Sequence, residues 1–228
     1  MAIIIQIETA TKSCSVALAQ NGKVVYKKEL NEQSIHASAI TLFIDEVVKN
    51  SKIDYKEIDA IAVSKGPGSY TGLRIGVSTA KGLCYALDKP LIAIDTLQSM
   101  ASGFISNYNL QSSDALFCPM IDARRMEVYC SVSNNLGNII SETEAKIIDA
   151  TSFGDILATQ KVYFFGDGAA KCNEALSQHT NAVIIDDFVN SAVDMTEIAL
   201  SKFQNQEFED AAYFEPFYLK EFIVLKKN

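Results

Sequence analysis

Histidine is scarce in this chain, with only His36 and His179 among 228 residues. They stand too far apart to share one helix face, so a paired-histidine metal helix is excluded and a structural or solvent role is expected for both. Cysteine is sparse and odd in number (Cys14, Cys84, Cys118, Cys130, Cys172). No C-x-x-C occurs, which argues against a disulfide framework or a zinc site and leaves five small buried hydrophobes. No apolar run reaches the roughly 18 residues of a membrane span, and Met1 leads into Ile3-Ile4-Ile5 without a basic n-region or a cleavage site. The sequence therefore predicts a cytosolic protein with no membrane partner. Positive charge is the minority: Asp+Glu 28 against Lys+Arg 20 gives a net −8, which disfavours unaided binding to nucleic acid and leaves any RNA contact to a basic partner. Also missing are G-x-S-x-G and the Gly-Lys-Ser/Thr ending of a P-loop, and Ser78-x-x-Lys81 has no S-D-N or K-T-G beside it.

What is present is a chain with 48% hydrophobic residues, enough for a sizeable core in one large or two small domains. Its organising stretch is the turn Gly66-Pro67-Gly68-Ser69-Tyr70-Thr71-Gly72, which leads into a helical pattern ending at Leu87. Thr71 is the expected N-cap. At about 100° per residue this helix has a polar stripe of Arg74, Ser78, Lys81 and Tyr85 and an apolar arc wider than one sheet contact requires. Gly72, Gly76 and Ala80 recur at every fourth position on that arc, flanked by Thr79, Leu83 and Leu87. They are expected to form a shallow groove for another helix or another protein. A helix over residues 35–49 turns Ile40, Phe43, Ile44 and Val47 to one side and leaves Leu42 out of phase, so Leu42 joins the same expected partner surface.

In order, the chain reads as three strands (3–8, 14–19 and 23–30, the last two joined at Asn21-Gly22), then helix, strand, helix, strand, helix. After a polar linker at 107–114 the same order returns at an offset of about 115 residues, which is compatible with a divergent duplication. The expected halves are 1–106, carrying the partner surface, and 107–228. The tail from Glu215 either packs on the second half or crosses back to the first. Glu8 and Asp122 each end an apolar strand. With Gly166-Asp167-Gly168 they could gather Mg²⁺ and a nucleotide phosphate across an acidic cleft, or simply cap turns. Arg124-Arg125 is too short a basic run to signal a nucleic-acid site.

At these residues the chain resembles a known family. IQIETATKSCSVAL (5–18), GPGSYTGLRIG (66–76), IDARRMEVY (121–129), GDGA (166–169) and PFYLK (216–220) are similar to the TsaB family of bacterial tRNA threonylcarbamoyladenosine biosynthesis proteins. Glu8, Tyr70 and Lys220 stand where that family usually has aspartate, phenylalanine and arginine. The resemblance implies an α/β fold of the duplicated actin-like, sugar-kinase and Hsp70 (ASKHA) type. It implies a non-catalytic subunit that pairs with the catalytic paralogue TsaD, joins the ATPase TsaE, dimerises when alone and meets tRNA only through the complex. No firmly bound cofactor is implied, and ATP with Mg²⁺ would belong to the assembled complex. The competing expectation is a nucleotide-dependent phosphotransferase of the same fold using Glu8, Asp122 and Asp167; a metalloprotease lacks its ligands.

Overall fold

The computed structural model describes residues 1–32, 36–111 and 113–220; the side chain of His36 and the tail beyond Lys220 lie outside the described residues. The first sheet begins with β1 (Ile3–Glu8), buried at every position, as a continuous apolar run requires when a strand is covered on both faces. β2 (Ser13–Gln20) and β3 (Lys23–Asn31) follow antiparallel. Asn21 and Gly22 between them adopt φ of 51° and 76°, the positive pair a tight hairpin needs. β3 carries charged residues along its length, which blunts the exposed edge. Then come α1 (His36–Ser51), β4 (Ala60–Gly66), α2 (Tyr70–Leu87), β5 (Leu91–Asp95) and α3 (Thr96–Asn107). β4 and β5 are parallel to β1, and the sheet order is β3-β2-β1-β4-β5.

The second sheet repeats this plan with β6 (Leu116–Asp122), β7 (Glu127–Ser133), β8 (Ile139–Ile147), β9 (Val162–Phe165) and β10 (Ala182–Ile185), in the order β10-β9-β6-β7-β8. The duplicated pattern is thus a duplicated topology, with Glu8 and Asp122 at equivalent strand ends. The connecting helices are not equivalent. Where the first half has α1 and α2, the second has only α4 (Gly154–Leu157), a 3₁₀ turn at Ala170–Cys172 and α5 (Asn173–Leu176). A 3₁₀ turn at Ala192–Met195 then leads into α6 (Thr196–Gln204).

The last helix of each half packs across the boundary between them. Leu97, Met100, Phe104 and Ile105 of α3 share a core with Phe117, Ile121 and Phe165 of the second sheet, where Phe104 stacks on Phe165 at 4.0 Å. Met195 and Ala199 meanwhile cover Ile4, Ala62, Ile92 and Ile94 of the first sheet. Buried hydrogen bonds fasten the crossing: Thr196 Oγ1 donates to Gln6 Oε1 at 2.9 Å and the Ala192 amide to Ser15 Oγ at 2.7 Å. The tail crosses back to the first half. The Glu209 amide donates to the Leu91 carbonyl at 2.9 Å, Lys81 Nζ to the carbonyls of Ala212 (3.2 Å) and Phe214 (3.0 Å), and the Phe217 amide to the Lys65 carbonyl at 2.7 Å. Lys220 then reaches the second half and pairs with Glu127 at 2.5 Å.

Two details differ from the sequence reading. The N-cap of α2 is Ser69 and not Thr71: the helix starts two residues earlier, and Ser69 Oγ accepts from the Gly72 amide at 3.2 Å. β8, which the sequence places at 138–142, extends to Ile147 because its cross-strand pairing with β7 continues along the edge.

Candidate functional site

Two surfaces hold residues that the sequence singles out. The first is the outer face of α1 and α2, which pack against each other over the first sheet. Ile40, Phe43, Ile44 and Val47 of α1 meet Val77, Ala80 and Cys84 of α2 in one core. Outside that core stand Leu42, 67% exposed, and Tyr85, 92% exposed. Ile75, Thr79 and Leu83 are half-buried at the margin.

The small-residue stripe does not belong to this outer face. Gly72, Gly76 and Ala80 are buried, and a Cβ on Gly72 or Gly76 would collide with the Thr9 carbonyl or with Thr9 Oγ1. Thr9 Oγ1 donates to the Gly72 carbonyl at 2.9 Å. The element these glycines admit is the chain's own β1–β2 turn, which corrects the expectation of an external groove. Leu42 and Thr79, with Leu83 at the edge of the core, are the members of the expected surface that an outside partner could reach.

The second surface is a cleft of about 1230 Å³ between the two halves. Lys12, the 68–72 turn and Ile75 line it from the first half, residues 121–127, Tyr129 and Asp167 from the second, and residues 217–220 from the tail. Glu8 is not part of it. Its carboxylate is buried and accepts from the Ala10 amide at 2.6 Å and from Ser64 Oγ at 3.0 Å, closing the β1–β2 turn. Burial raises its pKa to about 7. The expectation of Glu8 as a cleft ligand is thereby corrected.

Asp122, Gly166, Asp167 and Gly168 do come together. Asp122 pairs with Lys171 and accepts from the Arg124 amide at 2.9 Å, while Asp167 accepts from the Asp122 amide at 3.0 Å. Desolvation pushes the Asp122 carboxyl up, but the bonds from Lys171 and Arg124 outweigh it and hold the group below the ordinary range. Gly166, at φ 104°, lies so close to β6 that a Cβ would sit 2.5 Å from the Met120 carbonyl, and the Gly168 amide donates to that same carbonyl at 3.0 Å. Among the described residues, no three His, Cys, Asp or Glu side chains are grouped to hold a metal ion.

The cleft is also not the acidic one expected. Lys12, Arg124, Arg125 and Lys220 line it together with Asp122, Glu127 and Asp167. Arg124 and Arg125 occupy consecutive left-handed positions at φ 70° and 47°, and both are exposed. In sequence the arginine pair is too short a basic run to signal a nucleic-acid site. A usable signal was that the chain's three arginines, Arg74, Arg124 and Arg125, all fall within two motifs.

A family model described as TsaD, tRNA N6-adenosine threonylcarbamoyltransferase, matches residues 29–224. The chain is 31% identical over 238 residues to the tRNA threonylcarbamoyladenosine biosynthesis protein TsaB of Haemophilus influenzae, covering 98% of this chain and 96% of that one. Among solved structures it superposes on a Pseudomonas aeruginosa protein similar to peptidase YEAZ, with a TM-score of 0.83 at 24% identity, covering 96% of this chain and 100% of that one. It also superposes on the ADPNP-bound activator of 2-hydroxyisocaproyl-CoA dehydratase from Clostridium difficile, with a TM-score of 0.51 at 10% identity over 91% of this chain and 98% of that one. The architecture is the duplicated actin-like, sugar-kinase type.

Proposed function

The chain belongs to the TsaB family of tRNA threonylcarbamoyladenosine biosynthesis proteins, and from that membership we propose that it is the non-catalytic scaffold of the modification complex. It docks a TsaD-type catalytic paralogue through the outer face of α1 and α2, forms a homodimer through the same face when alone, and works beside the ATPase TsaE in the cytosol. No helix of the described residues is long and apolar enough to cross a membrane.

The observation that carries this reading is the fate of the strand-end carboxylates. A phosphotransferase of this fold needs acids free to hold Mg²⁺ and to activate a hydroxyl in the cleft. Here Glu8 is sealed beneath Ala10 and Ser64, and Asp122 is held by Lys171 and the Arg124 amide. Both acids serve the structure of their own turns. On the outer face of α1 and α2 the large apolar side chains left exposed are Leu42 and Tyr85.

Leu42→Glu tests the docking face. Removing an exposed leucine should change folding stability by less than about 0.5 kcal/mol, while a charge at the centre of an apolar contact should weaken capture of the paralogue at least ten-fold. A variant that melts like the parent and captures the paralogue with unchanged affinity would overturn the docking face.

A further inference from the structure

The scaffold reading leaves the cationic lip of the cleft without a task. Lys12 sits on the β1–β2 turn, and Arg124 and Arg125 on the turn between β6 and β7, so the two halves each present cations to one opening. All three side chains are exposed. Among the described residues none of them makes an ion pair: the cleft's carboxylates Asp122 and Glu127 are already held by Lys171 and Lys220. Lys12 lies close enough to influence Asp122 and Asp167 electrostatically, and it lines the same opening as the arginine turn. In a protein of net charge −8, unpaired cations gathered at one lip form an electrostatic footprint that composition alone conceals.

The backbone decides what kind of anion this lip suits. A phosphate cradle needs free amides at its turns. Here the Ser69 amide donates to the Ala10 carbonyl at 2.6 Å, the Ala10 amide to Glu8, the Arg124 amide to Asp122 and the Gly168 amide to Met120. These four amides are occupied within the fold, and long, exposed cations stand on the rim. Such a rim suits a phosphodiester backbone running across the opening. Beside it lies an aromatic platform, with the Tyr70 and Tyr218 rings 4.7 Å apart and the Arg74 guanidinium 4.2 Å above Tyr70. Tyrosine and arginine surfaces of this kind accept unpaired bases without demanding a sequence.

We propose that the lip formed by Lys12, Arg124 and Arg125 is an RNA-binding site through which this subunit itself touches the RNA backbone. It deepens the scaffold reading and rests on it for the source of the RNA. The site differs from the α1–α2 docking face, so the two can fail separately.

The test is anisotropy of the full-length chain with bulk transfer RNA at about 50 mM salt, a regime in which backbone contacts are strongest. The triple variant Lys12→Gln/Arg124→Asn/Arg125→Asn keeps residues tolerant of the left-handed turn. It should bind about ten-fold more weakly, with a salt slope shallower by about one for each cation removed. The control Lys52→Gln/Lys56→Gln/Lys161→Gln makes the same change in net charge at exposed positions elsewhere and should stay within about two-fold of the parent. Arg124→Lys/Arg125→Lys should retain binding, which separates lost charge from a disturbed turn. Undetectable RNA binding by the parent, or equal losses in the two triple variants, would overturn the proposal. So would a loss confined to binding of Mg-ADP or inorganic phosphate, which would mark the lip as a mononucleotide site. Capture of the paralogue is measured on the same proteins. Loss of RNA with capture retained supports the proposal, and joint loss would assign the lip to the protein interface and overturn it. A parent that binds RNA as described but never captures the paralogue would overturn the scaffold reading and leave this one standing.

Discussion

Glu8 ends β1, and its carboxylate is enclosed by its own turn. Burial raises its pKa from the ordinary 4.5 to about 7, so the folded state holds a proton that the unfolded state has already released between those values. Stability linked to this group is fully present below about pH 4.5, falls as the pH climbs through the window, and levels off above about 7. At about 1.4 kcal/mol per unit, the loss is of the order of 3–4 kcal/mol. Glu8→Gln keeps an oxygen to accept from the Ala10 amide and Ser64 Oγ and has nothing to ionise. It should match the parent near pH 4.5 and exceed it by about 2–4 kcal/mol at pH 8 in urea unfolding. Parallel pH profiles for the two proteins would show that Glu8 does not titrate in this window.

At the scale of the element, α2 serves two masters. Its inner face is shaped by Thr9, whose side chain and carbonyl occupy the space that side chains at Gly72 and Gly76 would fill. Glycine within a helix costs about 1 kcal/mol relative to alanine, and here it admits the β1–β2 turn. Gly76→Ala should therefore lose more through overpacking, typically 1–3 kcal/mol, than it gains in helix propensity. The expected net loss is up to about 2 kcal/mol, read as a lower urea midpoint at unchanged slope. Capture of the paralogue should persist, because the residue faces inward. A stabilised Gly76→Ala would mean that Thr9 yields at no cost.

For the whole molecule, the exchange of terminal helices makes the halves interdependent although each has its own sheet. Met195 and Ala199 cover the first sheet, and Phe104 of α3 packs against Phe117 and Phe165 of the second. A fragment of residues 1–106 would uncover Ile4, Ala62, Ile92 and Ile94 and leave α3 without its aromatic partners. It should fail to fold, while the full chain should melt in one transition with a calorimetric to van't Hoff ratio near ~1. A folded fragment with a cooperative melt of its own would show that the halves are separable.

The sequence by itself determined the elements and their repetition, because periodicity, turn residues and capping act over a few neighbours. The run Ile3–Glu8 became a central strand, Asn21-Gly22 turned a hairpin, Asp54 and Glu57 formed the capping box, and all five cysteines are free and buried. The family motifs were legible for the same reason, being short and contiguous. Tertiary structure alone decided what depends on residues far apart in the chain. Thr9 fills the space beside Gly72 and Gly76, Lys171 and Ser64 occupy Asp122 and Glu8, the tail crosses both halves, and Lys12 meets the Arg124-Arg125 turn at one opening. A glycine stripe reads alike whether the chain's own turn or another protein fills it, and an isolated arginine pair reads as weak until the fold brings a lysine to the same opening. Burial and charge at these sites are sums over neighbours in space, and those neighbours exist only once the two sheets have closed on each other.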